Sequence, residues 1–177
     1  MNEAETIAQL YEIPENVKEN ISEILDKHPE IGRSIWRMGR EELESLSNIF
    51  EHYRDSAKEL NAVLDAIRLI KERKKNRSVA DVMKLYIENF DRIKQICQTY
   101  DQETAKQVLI NSGEMAYYTG LEPVEIFLEK IIEYNLPANK VREISRNAGR
   151  IATNTGLYSH DPQKIVKMIN YLFSQYK

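Results

Sequence analysis

The residues with the clearest chemical potential are three arginines, Arg142, Arg146 and Arg150, spaced four residues apart. On a helix this spacing places them in one stripe. The apolar positions of the same segment define a different face, so we expect the stripe to point to solvent: Val141, Ile144, Ala148 and Ile151. Guanidinium groups bind phosphates in a bidentate way and stack on bases. The stripe therefore predicts a nucleic-acid site.

Charge is unevenly distributed in a way that supports this interpretation. The chain carries a net charge of −3, but residues 101–135 carry a net −5 and residues 136–177 a net +5. Nearby polar and basic residues extend the positive surface, and the candidate nucleic-acid-binding set is Lys140, Arg142, Arg146, Arg150, Asn154, Lys164 and Lys167. Two other interpretations stay open: the stripe docks on an acidic protein surface, of the same or another chain, or it is merely solvated.

A second basic cluster, defined by Lys71, Arg73, Lys74, Lys75 and Arg77, suits the C-terminal end of a helix, where cations meet the negative end of the dipole. We therefore interpret it as a helix end that also aids solubility. If it contacts a polyanion instead, we expect it to form a second basic site remote from the first.

Residues typical of catalysis are sparse. His28, His52 and His160 lie far apart and lack the spacing of metal ligands. Cys97 is the only cysteine and occupies an apolar position of a helical pattern, so we expect a small buried side chain rather than a nucleophile. We expect a non-catalytic protein with no metal and no cofactor.

Composition favours helices throughout. The 177 residues are 42% hydrophobic and 30% charged, and they include only six glycines and five prolines. The acidic start does not resemble a signal peptide, and no apolar run approaches the roughly 20 residues of a membrane span. With a single cysteine and no disulfide framework, the chain is predicted to be cytoplasmic and not to enter a membrane.

The longest pattern covers residues 40–75, where apolar residues recur at alternating spacings of three and four. They are Leu43, Leu46, Phe50, Tyr53, Ala57, Leu60, Leu64 and Ile67. This predicts one continuous helix of roughly 54 Å. Glu41, Glu42 and Glu44 are expected on its solvated outer face.

A second heptad pattern covers residues 79–100 and contains Val79, Met83, Tyr86, Phe90, Ile93, Cys97 and Tyr100. Two such helices joined by a short turn predict an antiparallel, coiled-coil-like hairpin over about residues 40–100. We expect residues 1–100 to form a helical bundle around it. A hairpin of this kind also supports another function, that of a protein-interaction scaffold or adaptor that forms a homodimer through the hairpin.

Residues 101–177 contain an internal repeat. Residues 108–121 align without gaps on residues 144–157, with six identities in fourteen positions. Gly120 and Gly156 are predicted to end a helix in each copy, and a proline begins the next helix. Gly113 and Gly149 are predicted to mark a close approach of two helices, and the alternative is a break that divides the segment into two helices. The domain prediction is therefore a duplicated helix–Gly–helix module with a basic second copy.

One stretch of the first copy resembles a helix-turn-helix motif, with Ala116, Gly120 and Ile126 at the corresponding spacing. Its second helix carries Glu122 and Glu129, which would repel phosphates. We therefore interpret this stretch as an ordinary helix–Gly–helix corner. Taken together, the sequence predicts an all-α protein that binds nucleic acid, DNA in the first instance, through its basic second copy.

Overall fold

The computed structural model describes residues 3–158 and 161–176, and every regular element in these ranges is helical. The all-α prediction is confirmed. A short 3-10 turn, Pro29–Ile31, precedes α3. The α-helices are α1 Glu3–Tyr11, α2 Glu15–Lys27, α3 Gly32–Trp36, α4 Arg40–Tyr53, α5 Ala57–Lys74, α6 Ala80–Glu88, α7 Phe90–Thr99, α8 Gln102–Thr119, α9 Leu121–Tyr134, α10 Ala138–Tyr158 and α11 Pro162–Ser174.

The predicted continuous helix over residues 40–75 is wrong, because the chain is interrupted at residues 54–56. α4 ends at Tyr53, and Ser56 is the residue that precedes α5. Aspartate and serine compete with the helical backbone for hydrogen bonds, so they favour such breaks. Ala57 is exposed as a result, whereas the other seven residues of the predicted seam are buried.

The second predicted helix is also divided, at Asn89. The Asn89 side chain is buried, donates to the Leu85 carbonyl at 3.1 Å and accepts from Arg92 at 2.7 Å. Four shorter helices therefore replace the two long helices predicted for the hairpin. The apolar residues of the predicted hairpin, apart from Ala57, nevertheless pack into the core of this chain. Dimerisation through the hairpin stays a prediction.

Three helices, α5, α8 and α10, lie side by side and run in the same direction. Lys106 of α8 lies 4.0 Å from Asp65 of α5, and eight residues further along both helices Arg73 lies 3.3 Å from Glu114. Contacts between α8 and α10 advance in the same way, from Thr104 and Arg142 to Asn111 and Gly149. These three helices form one layer of the protein.

A second layer contains α7, α9 and α11, which also run parallel to one another. Tyr100, at the end of α7, donates to the Leu136 carbonyl beyond α9 at 2.7 Å. The rings of Phe127 and Tyr134 of α9 pack on Phe173 of α11 at 5.9 and 5.1 Å. Successive helices of this region alternate between the two layers, as in stacked helix pairs. A single connected core runs from Ile7 to Phe173, and the division near residue 100 stays a prediction.

The glycines of the predicted repeat behave differently from one another. Gly113 and Gly149 lie inside helices, and a methyl group on either would come within 2.3 Å of Ile70 or 2.5 Å of Asn111, which confirms the predicted close approach. Gly120 follows α8 with φ +83°, as expected for a helix stop. The predicted stop at Gly156 is wrong, because α10 continues to Tyr158. The side chains of residues 155–158, including Leu157, lie outside the described part.

Glu42 and Lys71 form a buried ion pair, which corrects the prediction that both are solvated. Lys71 has no exposed surface, and its Nζ lies 2.7 Å from Glu42 Oε2 and 2.8 Å from the Arg77 carbonyl. Glu42 also accepts hydrogen bonds from the backbone N–H groups of Gly39 and Val79, at 3.0 and 3.2 Å. This pair ties together the start of α4, the end of α5 and the turn before α6.

Candidate anion-binding cleft

A cleft of about 420 Å³ lies across the layer formed by α5, α8 and α10, and we call it the basic cleft. Each of the three helices contributes residues to it: Arg73 and Lys74 from α5, Asn111, Glu114 and Tyr118 from α8, and Arg146, Gly149, Arg150, Thr153 and Asn154 from α10. Four cations and one carboxylate give the basic cleft a net charge of +3. Such a concentration of one sign of charge in a concave surface attracts anions.

Arg146 and Arg150 supply the cleft's available positive charge. Both side chains are exposed, as the sequence predicted, and neither has a hydrogen bond or ion pair with another described residue. Their helix approaches α8 closely because position 149 between them is glycine. The close approach places the two guanidinium groups beside the side chains of α8 and α5 rather than on an isolated helix.

The cations of α5 are partly neutralised. Glu114 is 8% exposed and binds Arg73 at 3.3 Å and Lys74 at 3.0 Å. Lys74 also donates to the Tyr118 hydroxyl at 2.9 Å and lies over the ring of Tyr117. Burial lowers the pKa of Lys74, but the hydrogen bonds to Tyr118 and Glu114 outweigh this effect and raise the pKa. Lys74 is therefore a fixed positive charge at neutral pH.

The other predicted site residues have different surroundings. Arg142 is half-buried and donates to Thr104 Oγ1 at 2.8 Å, so the prediction that it points freely to solvent is wrong. Thr104 in turn donates to Asp101. This hydrogen bond, together with backbone hydrogen bonds and the nearby positive charge of Arg142, lowers the pKa of the Asp101 carboxyl. Arg142 thus fastens the start of α10 to the start of α8.

Asn154, a member of the predicted nucleic-acid-binding set, lines the basic cleft. Lys140, Lys164 and Lys167 are exposed but do not line it. Lys140 lies 3.9 Å from Glu143, and the two other lysines belong to α11 in the second layer. The cleft therefore unites three of the seven predicted residues: Arg146, Arg150 and Asn154.

The expectation that the cluster near Lys71 would lie remote from the arginine stripe is wrong. Arg73 and Lys74 share the basic cleft with Arg146 and Arg150, because α5 and α10 both lie against α8 and run in the same direction. Sequence reasoning therefore missed Arg73, Lys74 and the side chains of α8. The available signal was the repeat itself, since stacking of equivalent helices brings residues about one repeat length apart together.

The stretch that resembles a helix-turn-helix forms α8, Gly120 and α9. α9 packs between α7 and α11. Its exposed positions include Glu122 and Glu129, and Glu129 is ion-paired with Arg92. An acidic helix in this place offers phosphates no favourable contact.

No known family model matches this chain, and no curated protein or solved structure is significantly similar to it. Within residues 3–158 and 161–176, no three acidic, histidine or cysteine side chains are grouped as a metal site would require, and His160 lies outside these ranges. No described helix combines the length and the apolar character that crossing a bilayer demands.

Cys97 is buried, as predicted. Burial and the nearby negative charge of Glu59 raise the pKa of its thiol to about 12, although Lys58 opposes the shift. Because the thiolate is the reactive form, we expect no reaction with a disulfide reagent at pH 8 in the native protein and one thiol per chain in urea. A colorimetric thiol assay checks this. Rapid labelling of the native protein would show that Cys97 is accessible.

Proposed function

We propose that this protein is a non-catalytic binding protein that holds nucleic acid, DNA in the first instance, in the basic cleft. The observation that carries the proposal is that Arg146 and Arg150 are exposed and have no anionic partner among the described residues. Arg73 and Lys74 lie in the same cleft, so its positive charge comes from two helices, α5 and α10, instead of one.

The polar residues of the cleft suit a phosphodiester backbone. Arginine forms bidentate hydrogen bonds with phosphate oxygens, and asparagine, threonine and tyrosine also donate to the backbone. Asn154 is exposed beside Arg150, and the hydroxyl of Tyr118 is held beside Lys74. These contacts would bind the backbone without reading a sequence, so we expect affinity with little sequence preference.

The direct test is the salt dependence of binding. With a net charge of +3 in the cleft, about three phosphates would be neutralised, which predicts a slope of log K against log salt of about −2.7 for duplex DNA and about −2 for a single strand. Between 50 and 200 mM salt, duplex affinity should then fall about fortyfold. Fluorescence anisotropy with a labelled DNA 20-mer measures this affinity at each salt concentration.

Two results would contradict the proposal. The first is the absence of nucleic-acid binding at 20 mM salt. The second is binding whose affinity does not change with salt. A polyglutamate peptide serves as the comparison, because capture of that peptide without capture of DNA would favour an acidic protein partner.

Cytoplasmic residence is in keeping with a single buried thiol. The alternative function stays a prediction: a protein-interaction scaffold or adaptor that forms a homodimer through the hairpin.

A further inference from the structure

We propose that a second cleft, distinct from the basic cleft, binds the phosphate group of a small hydroxylated phosphate monoester. This arginine pocket has a volume of about 320 Å³ and lies between the segment 29–37 and α5. It is lined by three arginines, Arg33, Arg37 and Arg68, and by Glu30, Glu72, Pro29 and Ser34. Arg68 and Glu72 lie one helical turn apart on α5, and the next residue, Arg73, lines the basic cleft.

The three guanidinium groups of the arginine pocket have few acceptors among the described residues. Arg33 and Arg37 have no hydrogen bond or ion pair with any other described residue, although two carboxylates line the same pocket. Arg68 has one distant ion pair, 3.9 Å from Asp65. The N–H groups of Arg33 and Arg37, and most of those of Arg68, are therefore free to bind the oxygens of an oxyanion.

Arg68, in the wall of the arginine pocket, also carries a hydrogen-bond donor without a partner among the described residues. Arg68 Nε is buried and has no hydrogen-bond partner among the described residues. A buried donor without an acceptor is rare because its desolvation is uncompensated. Phosphate oxygens are suitable acceptors, since each can receive several N–H groups and arginine binds them in pairs.

The two carboxylates of the arginine pocket determine what the rest of the ligand can be. Glu30 and Glu72 reduce the net charge of the pocket to +1, which disfavours an extended polyanion. Carboxylates that line a pocket and have no arginine partner can accept hydrogen bonds from hydroxyl groups. The volume is at the lower end of the range for small-molecule sites. A sugar phosphate therefore suits the pocket better than a nucleic-acid backbone does.

Isothermal titration of the whole chain tests this inference with inorganic phosphate, ribose 5-phosphate and ribose as probes. We expect ribose 5-phosphate to bind more tightly than inorganic phosphate, and ribose not to bind. The double variant R33Q/R37Q should weaken ribose 5-phosphate by roughly tenfold or more, since it removes two charged donors. Both side chains are exposed, so circular dichroism should show an unchanged fold.

The control is K164Q/K167Q, which removes the same charge from α11, outside both clefts, and should leave ribose 5-phosphate affinity within about twofold. Lack of saturable binding by ribose 5-phosphate would overturn the inference. Equal weakening by the two double variants would also overturn it, because binding would then follow net charge. Neither result depends on nucleic-acid binding, so this inference and the proposed function can fail separately.

Discussion

Replacing both Arg146 and Arg150 by glutamine is expected to weaken nucleic-acid binding about a hundredfold at low salt, roughly tenfold for each lost phosphate contact. The salt slope should become shallower by about two units, one for each charge removed. Both side chains are exposed and have no partner among the described residues, so the melting temperature should change by less than about 2 °C. Anisotropy titrations at several salt concentrations and a thermal melt provide these values.

The matched control is K164Q/K167Q. These two lysines are exposed like the arginines, and their replacement changes the net charge equally. They lie on α11 and do not line the basic cleft, so we expect a loss of less than about threefold through the overall field. If the two double variants lose affinity equally, binding follows total charge and the cleft is not the site.

Replacing Lys71 by methionine is expected to destabilise the protein by about 3–5 kcal/mol, because it leaves the Glu42 carboxylate buried without its cation. Lys71 has no exposed surface, and the two charged groups are 2.7 Å apart. Methionine keeps the apolar part of the side chain, so the loss of unfolding free energy measures the effect of removing the positive charge. The midpoint of urea unfolding should fall with an unchanged m-value, and the melting temperature should fall by about 10 °C.

An exposed ion pair on α4, the helix that carries Glu42, provides the control. Arg40 and Glu44 are 2.9 Å apart, but their side chains are 55% and 40% exposed. R40M should therefore cost less than about 1 kcal/mol. The double variant E42M/K71M should regain only part of the loss, since the N–H groups of Gly39 and Val79 lose their acceptor. A loss below 1 kcal/mol for K71M would show that water reaches the buried pair.

Apolar periodicity predicted which residues are buried much better than it predicted where helices end. Seven of the eight seam residues between Leu43 and Ile67 are buried, yet the helix that carries them is two helices. A three–four pattern continues across a break when both segments bury the same side against one core. The signal for the break was local, in the aspartate and serine before Ala57, and a pattern of apolar residues does not contain it.

Charged residues were predicted least well, because their surroundings depend on helices distant in sequence. Lys71 and Arg73 are two residues apart in one basic run, yet Lys71 is buried against Glu42 and Arg73 is exposed in the basic cleft. Periodicity assigns both residues to the end of a helix, but it does not show which distant helices cover that end. The stripe of Arg146 and Arg150 was identified because exposure on a single helix follows from its own apolar face.

The parallel packing of α5, α8 and α10 has a consequence for motion. The last pair, α10 and α11, closes one end of the layered arrangement. In arrays stabilised by contacts between adjacent units, the outermost unit opens most readily. A molecule bound in the basic cleft would contact α5, α8 and α10 together. It would therefore oppose the separation of that outermost unit from the rest of the protein. Occupancy should therefore slow amide hydrogen exchange in the C-terminal pair beyond the residues that the ligand contacts.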